Sequence, residues 1–196
     1  MVGMPCPFES GRRGRKPRTR LYVTECEQIV ANVSAHVRVT SAVAADSDNA
    51  GLARSLIENA RSAALGTLGG GGEPFVSYVT TAPSANGSPL LLLSRLAWHS
   101  RNLERDPRAS LLLVREADPD LETMSAIRLT LLGRVVPDGD PESRRLFLAR
   151  HPDAAGYAGF NDFSFHRFDV ESGHLVAGFG RIVSLRPEEL LGGATF

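Results

Sequence analysis

Apolar residues in LARSLIENA fall on one helical stripe, with Leu52, Leu56 and Ala60 four places apart. The period then changes. ARSAALGTL, residues 60 to 68, reads as a strand, and the GGGGEP after it makes a turn suited to glycine. PFVSYVTTA, residues 74 to 82, alternates, with Phe75, Ser77, Val79 and Thr81 on one face and Val76, Tyr78, Thr80 and Ala82 on the other. Asn86-Gly87 is a hairpin signal leading into the apolar strand LLLL, residues 90 to 93. ASLLLV (109 to 114) and AIRLTLLGRVVP (126 to 137) read as two more strands, the second carrying Gly133 as a mark of a bend or bulge. ESRRLFLARHP (142 to 152) predicts a helix ended by Pro152. DFSFHRFDV (162 to 170) alternates strictly, Phe163, Phe165 and Arg167 against Ser164, His166 and Phe168. A turn at Glu171-Ser172-Gly173 is expected to return it to HLVAGF, residues 174 to 179.

That pattern gives six or seven strands, two or three short helices, and no repeating strand–helix–strand unit. The expected fold is mainly β: a small antiparallel barrel with appended helices. Residues 1 to 50 read differently. GRRGRKPRTR places six basic residues between positions 12 and 20 with no apolar face, which predicts a disordered basic N-terminal tail. ADSDNAG (45 to 51) reads as a linker, so the barrel domain is expected over 51 to 190.

Composition narrows the chemistry. Formal net charge is zero, which argues against nucleic acid and anionic membrane surfaces, and no apolar run reaches the length of a membrane span. Lys16 is the one lysine of the chain, and Cys6 and Cys26 are its two cysteines. All three precede the barrel, so a core Schiff-base lysine, a P-loop lysine and a core thiol nucleophile are excluded. His151, His166 and His174 share no metal-ligand spacing, so no metal site is expected. A cytoplasmic location is the expectation from this composition.

Candidate chemistry concentrates in LSRLAWHSRNLERDPRASLLL, residues 93 to 113. A strand runs into a predicted helix from Ala97 to Arg105, which stops at Asp106 because the residue before Pro107 disfavours the α conformation. Free amides at a helix start attract anions, and Ser94, His99 and Ser100 could add donors, with Arg95 or Arg101 as counter-charge. A phosphate suits that set. The alternative is that Ser94 caps the helix and His99 and Ser100 are simply exposed. Trp98, the only tryptophan, either flanks an aromatic ligand or packs against the barrel or a partner subunit. GFGR, residues 178 to 181, suits either a ligand rim ending on Arg181 or a plain turn.

These segments, taken in order from about Leu52 to Arg181, resemble the FMN-binding split barrels of the pyridoxamine-5′-phosphate-oxidase-like class. The likeness is nearest to the haem-utilisation branch. It rests on ARSAALGTL with PFVSYV, PLLLLSRLAWHSRNLERDPRASLLL, RLTLLGRVVP, RHPDAAGYAGFNDFSFHRF and LVAGFGR. The resemblance implies a homodimer with FMN at the subunit interface. On that reading Ser94, His99, Ser100 and Asn102 hold the phosphate, with Arg101 a further candidate. Val76, Ser77, Tyr78 and Val79 line the isoalloxazine, and Arg181 lies at its rim.

The true oxidase differs at several of these points. Ser77 and Ala82 stand where it has phosphate-binding Arg and Lys, and Ala97, Trp98 and His99 replace its Ser-Arg-Lys triplet. Its substrate-binding Arg-x-His pair has no counterpart after Arg181, so oxidation of pyridoxamine phosphate is not expected. Haem degradation is not expected either, because the haem-utilisation branch usually carries a C-terminal domain involved in haem ligation and this sequence stops soon after LRPEELL. The resulting expectation is an FMN-dependent oxidoreductase acting on a small-molecule redox substrate, with no general acid or base assigned. The alternative is a haem-binding, haem-utilisation protein on the same barrel, with His166 and His99 as the histidines to test.

Overall fold

The computed structural model describes residues 42–115, 126–178 and 180–192, with side chains in the first helix described from residue 49. The basic run and both cysteines lie outside the described residues. The first described element is a helix, α1 (Ala42–Asn59). ADSDNAG is therefore helical rather than a linker, and the compact unit begins at Ala42. Its short polar residues hid the helix, because what orders it is the apolar face further on: Ala53, Leu56 and Ile57 are buried in the barrel core.

Seven strands follow: β1 (Ser62–Leu68), β2 (Pro74–Pro83), β3 (Pro89–Ser94), β4 (Arg108–Val114), β5 (Arg128–Pro137), β6 (Phe163–Val176) and β7 (Ile182–Leu185). They pair antiparallel in the order β3-β2-β1-β4-β5-β6-β7, and β3 also pairs with β6. That last pairing closes six strands into a barrel and leaves β7 as an added edge. Its interior is filled by Leu65, Leu91, Leu93, Leu111, Leu129 and Phe168, each almost wholly enclosed. The uninterrupted apolar run PLLLLS has a direct cause. Leu91 and Leu93 face the barrel interior, while Leu90 and Leu92 lie in a second cluster with Phe147 of α3 (Pro141–Arg150). A strand covered on both sides carries no polar face.

Asn86-Gly87 makes the expected hairpin: Gly87 takes a φ of 88°, and the Asn86 carboxamide oxygen accepts from Ser84 Oγ and Ser88 N. The turn expected at Glu171-Ser172-Gly173 is absent. β6 is one strand of 14 residues, and its register against β5 shifts so that Leu132 opposes Ser172 while Gly133 opposes Val170. Glu171 is thus the extra residue of a bulge. Gly133 makes the bulge possible, because a Cβ there would stand 2.0 Å from the Asp169 carbonyl oxygen.

The short helix α2 (Trp98–Arg105) crosses from β3 to β4 and ends at an extended Asp106, as its Pro107 requires. Leu103 anchors it in the core. A 3-10 turn (Pro152–Gly156) and α4 (Pro187–Leu190) complete the fold. The GFGR segment is the turn between β6 and β7, with Gly178 and Gly180 both at positive φ and Ala177 N donating to Arg181 O at 2.9 Å.

Candidate functional site

The joint between β3 and α2 uses its polar groups internally. Ser100 Oγ donates to Ser94 O at 2.7 Å, and Asn102 Nδ2 donates to Thr67 Oγ1 of β1 at 3.0 Å. Both Ser100 and Asn102 are buried, so each bond satisfies a group that water cannot reach. Ser94 Oγ donates to Asp162 Oδ2 at 2.8 Å and accepts from Leu96 N, tying the joint to the segment before β6. The helix itself starts at Ala97 with no side-chain cap. Arg101 is exposed and its guanidinium lies 5.7 Å from the centre of the Trp98 ring. The four residues expected to grip a phosphate lie along one joint, yet the Ser94, His99 and Asn102 side chains bond to Asp162, Ser77 and Thr67, and Ser100 bonds to the Ser94 carbonyl. Asp162 was missed in the sequence because it lies 68 residues from its partner.

His99 extends this pattern into the barrel mouth. Its Nδ1 lies 3.0 Å from Ser77 Oγ of β2, and its Nε2 is shut from solvent with no partner among the described residues. His166 pairs in register with Leu91, a core residue, so it faces the same interior, and its Nδ1 is 3.1 Å from Ser164 O. Burial, followed by the nearby His166, lowers the His99 pKa below its ordinary 6.5. Burial also lowers the pKa of His166, against the opposing effects of the Ser164 carbonyl and Asp138. Both imidazoles are neutral near pH 7. Asp138 Oδ2 is likewise buried without a partner.

Of the four β2 residues expected to line a flavin, Val79 is in the core and Ser77 is engaged by His99. Val79 can therefore offer a surface ligand only its backbone. Val76 and Tyr78 point outward and are 66% and 78% exposed. Arg181 is half-buried near the β6–β7 turn, apart from the joint in sequence and element.

Tyr78 opens onto a different feature. A groove of about 920 Å³ runs over the outer face of β2, β1, β4 and the start of β5, walled at one end by Ser55, Leu56 and Asn59 of α1. Register places Tyr78, Ala64 and Leu112 in one row across its floor, with Val114 and Arg128 paired beside it. Among the described residues three arginines line it, Arg61, Arg115 and Arg128, and no carboxylate does. Arg61 is partly engaged, donating from Nη2 to Arg150 O at 2.7 Å. The Tyr78 hydroxyl shares a short hydrogen bond with Ser62 Oγ. An apolar floor with cations at its edge suits a flat, largely apolar molecule carrying acidic groups, and the volume is that of a cofactor site. Among the described residues, no three His, Cys, Asp or Glu side chains gather as metal ligands.

Sequence reasoning missed this groove. Its cations sit far apart in the chain, and only the strand pairings join them. One signal was present: Val76, Tyr78, Ala64 and Leu112 put apolar residues on an outward face that a solvated sheet would make polar.

Known proteins share this architecture. The chain is 37% identical over 110 residues to the chloroplastic heme oxygenase HOZ of Arabidopsis thaliana, covering 55% of this chain and 33% of that one. It therefore spans about a third of that relative's length. A heme binding protein from Mycobacterium smegmatis superposes with a TM-score of 0.67 at 32% identity, over 72% of this chain and 59% of the other. A pyridoxinephosphate oxidase family protein from Clostridium acetobutylicum superposes at 0.57 over 74% and 98% of the two chains. At 15% identity that third likeness speaks for the barrel alone. The CREG beta-barrel family model matches residues 44–191, and the chain belongs to that family.

Proposed function

We propose that this protein binds haem, in the groove on the outer face of the barrel. The observation that carries the reading is the groove's chemistry: Ala64, Leu112 and Val114 beneath, Arg115 and Arg128 at one side, and no carboxylate among the described lining residues. A haem has an apolar macrocycle and two carboxylates, so floor and cations each have a counterpart. The names of the Arabidopsis and Mycobacterium relatives support the same choice over a flavin. Arg115 and Arg128 would hold the carboxylates by forked contacts, while Leu112 and Val114 keep water from the ring face. Bound haem would supply the iron, and with it oxygen or electron-transfer chemistry.

FMN has less to hold it. Ser94, Ser100, Asn102 and His99 would have to leave internal partners to meet its phosphate. A homodimer belongs to the same proposal. Val76, Tyr78 and Leu132 are exposed on this outer face, and a second copy covering it would also roof the groove. Titration of the purified protein with ferric haem, followed in the Soret region, tests the reading, with FMN titration as its comparison. A saturable Soret change with no flavin uptake is expected. A flat haem titration overturns the proposal, and light scattering of the same sample reports whether two copies associate.

A further inference from the structure

Resting on that haem reading, we infer that the phenol oxygen of Tyr78, rather than a histidine, is the side-chain ligand this barrel presents to haem iron, with Ser62 as its hydrogen-bond partner. Haem iron takes an oxygen ligand from tyrosine as well as nitrogen from histidine. What decides between them here is which atoms face the groove. Tyr78 lines it and is 78% exposed. Among the described residues no histidine lines it. His99 and His166 face the barrel interior, and the His99 Nε2 is shut from solvent. His151 has its Nε2 2.8 Å from Thr81 O. His174 is exposed on the outer face but sits opposite Thr130, two strands beyond Leu112 and off the groove.

The environment of the phenol fits the role. In the Ser62–Tyr78 pair either hydroxyl can be the donor. When the phenol oxygen bonds iron it gives up its proton to solvent, and Ser62 turns to donate to the resulting phenolate. One O–H bond breaks, one Fe–O bond forms, and no electron is transferred. Arg115 and Arg128 place positive charge in the same groove, which favours an anionic ligand oxygen. Ser62 is thus a positioning residue.

Ferric haem spectra of the full chain test this. The wild-type complex should show a phenolate-to-iron charge-transfer band and phenolate modes in resonance Raman. Tyr78→Phe should lose both, with an unchanged melting temperature of the haem-free protein. Because a proton leaves on ligation, wild-type affinity should rise with pH, by up to about tenfold per unit. Tyr78→Phe should flatten that slope. Ser62→Ala should keep the complex and move the band. If Tyr78→Phe binds haem with the wild-type spectrum, or His174→Ala abolishes that spectrum, the ligand assignment is wrong while the groove reading stands. Failure of the wild-type protein to take up haem at all overturns both.

Discussion

The joint at residues 94–106 and the groove under Tyr78 hold similar inventories of hydroxyls, arginines and aromatic rings, arranged to opposite ends. In the joint, Ser94, Ser100 and Asn102 meet Asp162, a backbone carbonyl and Thr67, so their bonds fasten a helix to a barrel. In the groove, Arg115, Arg128 and Tyr78 stand at a surface whose apolar floor is open to a guest. A polar cluster inside a small fold must be satisfied by its own neighbours, since an unpaired buried group costs about 1–3 kcal/mol. A cluster at the surface carries no such requirement. The density of polar residues along a sequence therefore marks a demanding piece of structure as readily as a ligand site.

The sharpest way to break this contrast is Asn102→Ala. It removes the bond to Thr67 across buried space and leaves the Thr67 hydroxyl without that partner. A loss of about 2 kcal/mol is expected, a drop of roughly 4–8 °C in melting temperature for a domain of this size. Haem uptake by the folded fraction should be unchanged. A variant that melts like the wild type but loses ligand would place Asn102 in a binding site after all.

The groove should answer in reverse. Arg115→Glu with Arg128→Glu replaces two cations at its edge by two anions. Haem affinity should fall by tenfold or more, about 1.4 kcal/mol at the least, while the melting temperature falls less than for Asn102→Ala, since Arg115 is exposed and the half-buried Arg128 gives up one bond, to Ala126 O. Raising the salt concentration should weaken wild-type binding and leave the variant's residual binding nearly unaffected. Equal affinities in the two proteins would remove the cations from the argument.

The same contrast explains what could be read from the chain. Alternation placed His166 and Phe168 on one face, and the barrel holds both inside, because the two-residue period of a strand survives folding. Asn86-Gly87 marked its hairpin because the φ of 88° is a local demand that glycine meets locally. Glu171 was misread because a bulge and a turn use similar residues, and only the partner strand distinguishes them. Helix α1 was cut short because the short polar residues of ADSDNAG favour turns, while the residues that tie the helix into the barrel core, Ala53, Leu56 and Ile57, come after it. The groove was illegible for a related reason: Arg61, Arg115 and Arg128 become neighbours only through the pairings of β1 with β4 and β4 with β5. The joint, by contrast, is contiguous in sequence, and that contiguity drew attention to the region whose polar bonds prove internal.

The smallest effect concerns the two interior histidines. Both have folded-state pKa values below 6.5, so the unfolded chain takes up protons first as pH falls. Stability should be fully present above pH 6.5 and decline between 6.5 and the lowered folded values. The two sites should not share the loss equally. At His166, Asp138 and the Ser164 carbonyl favour the protonated ring and oppose burial. At His99, burial and the charge of His166 act in the same direction, and Ser77 is the hydrogen-bond partner at Nδ1. His99→Gln should therefore remove more of the acid-side slope than His166→Gln, as read from denaturant midpoints at pH 7.5, 6.5 and 5.5. Both rings are only partly enclosed, so solvent tempers the penalty and the slope should be shallow. A wild-type midpoint that stays level down to pH 5.5, or a steeper change from His166→Gln, would mean that the barrel mouth is wetter than its packing indicates and that the joint is less sealed than the contrast with the groove requires.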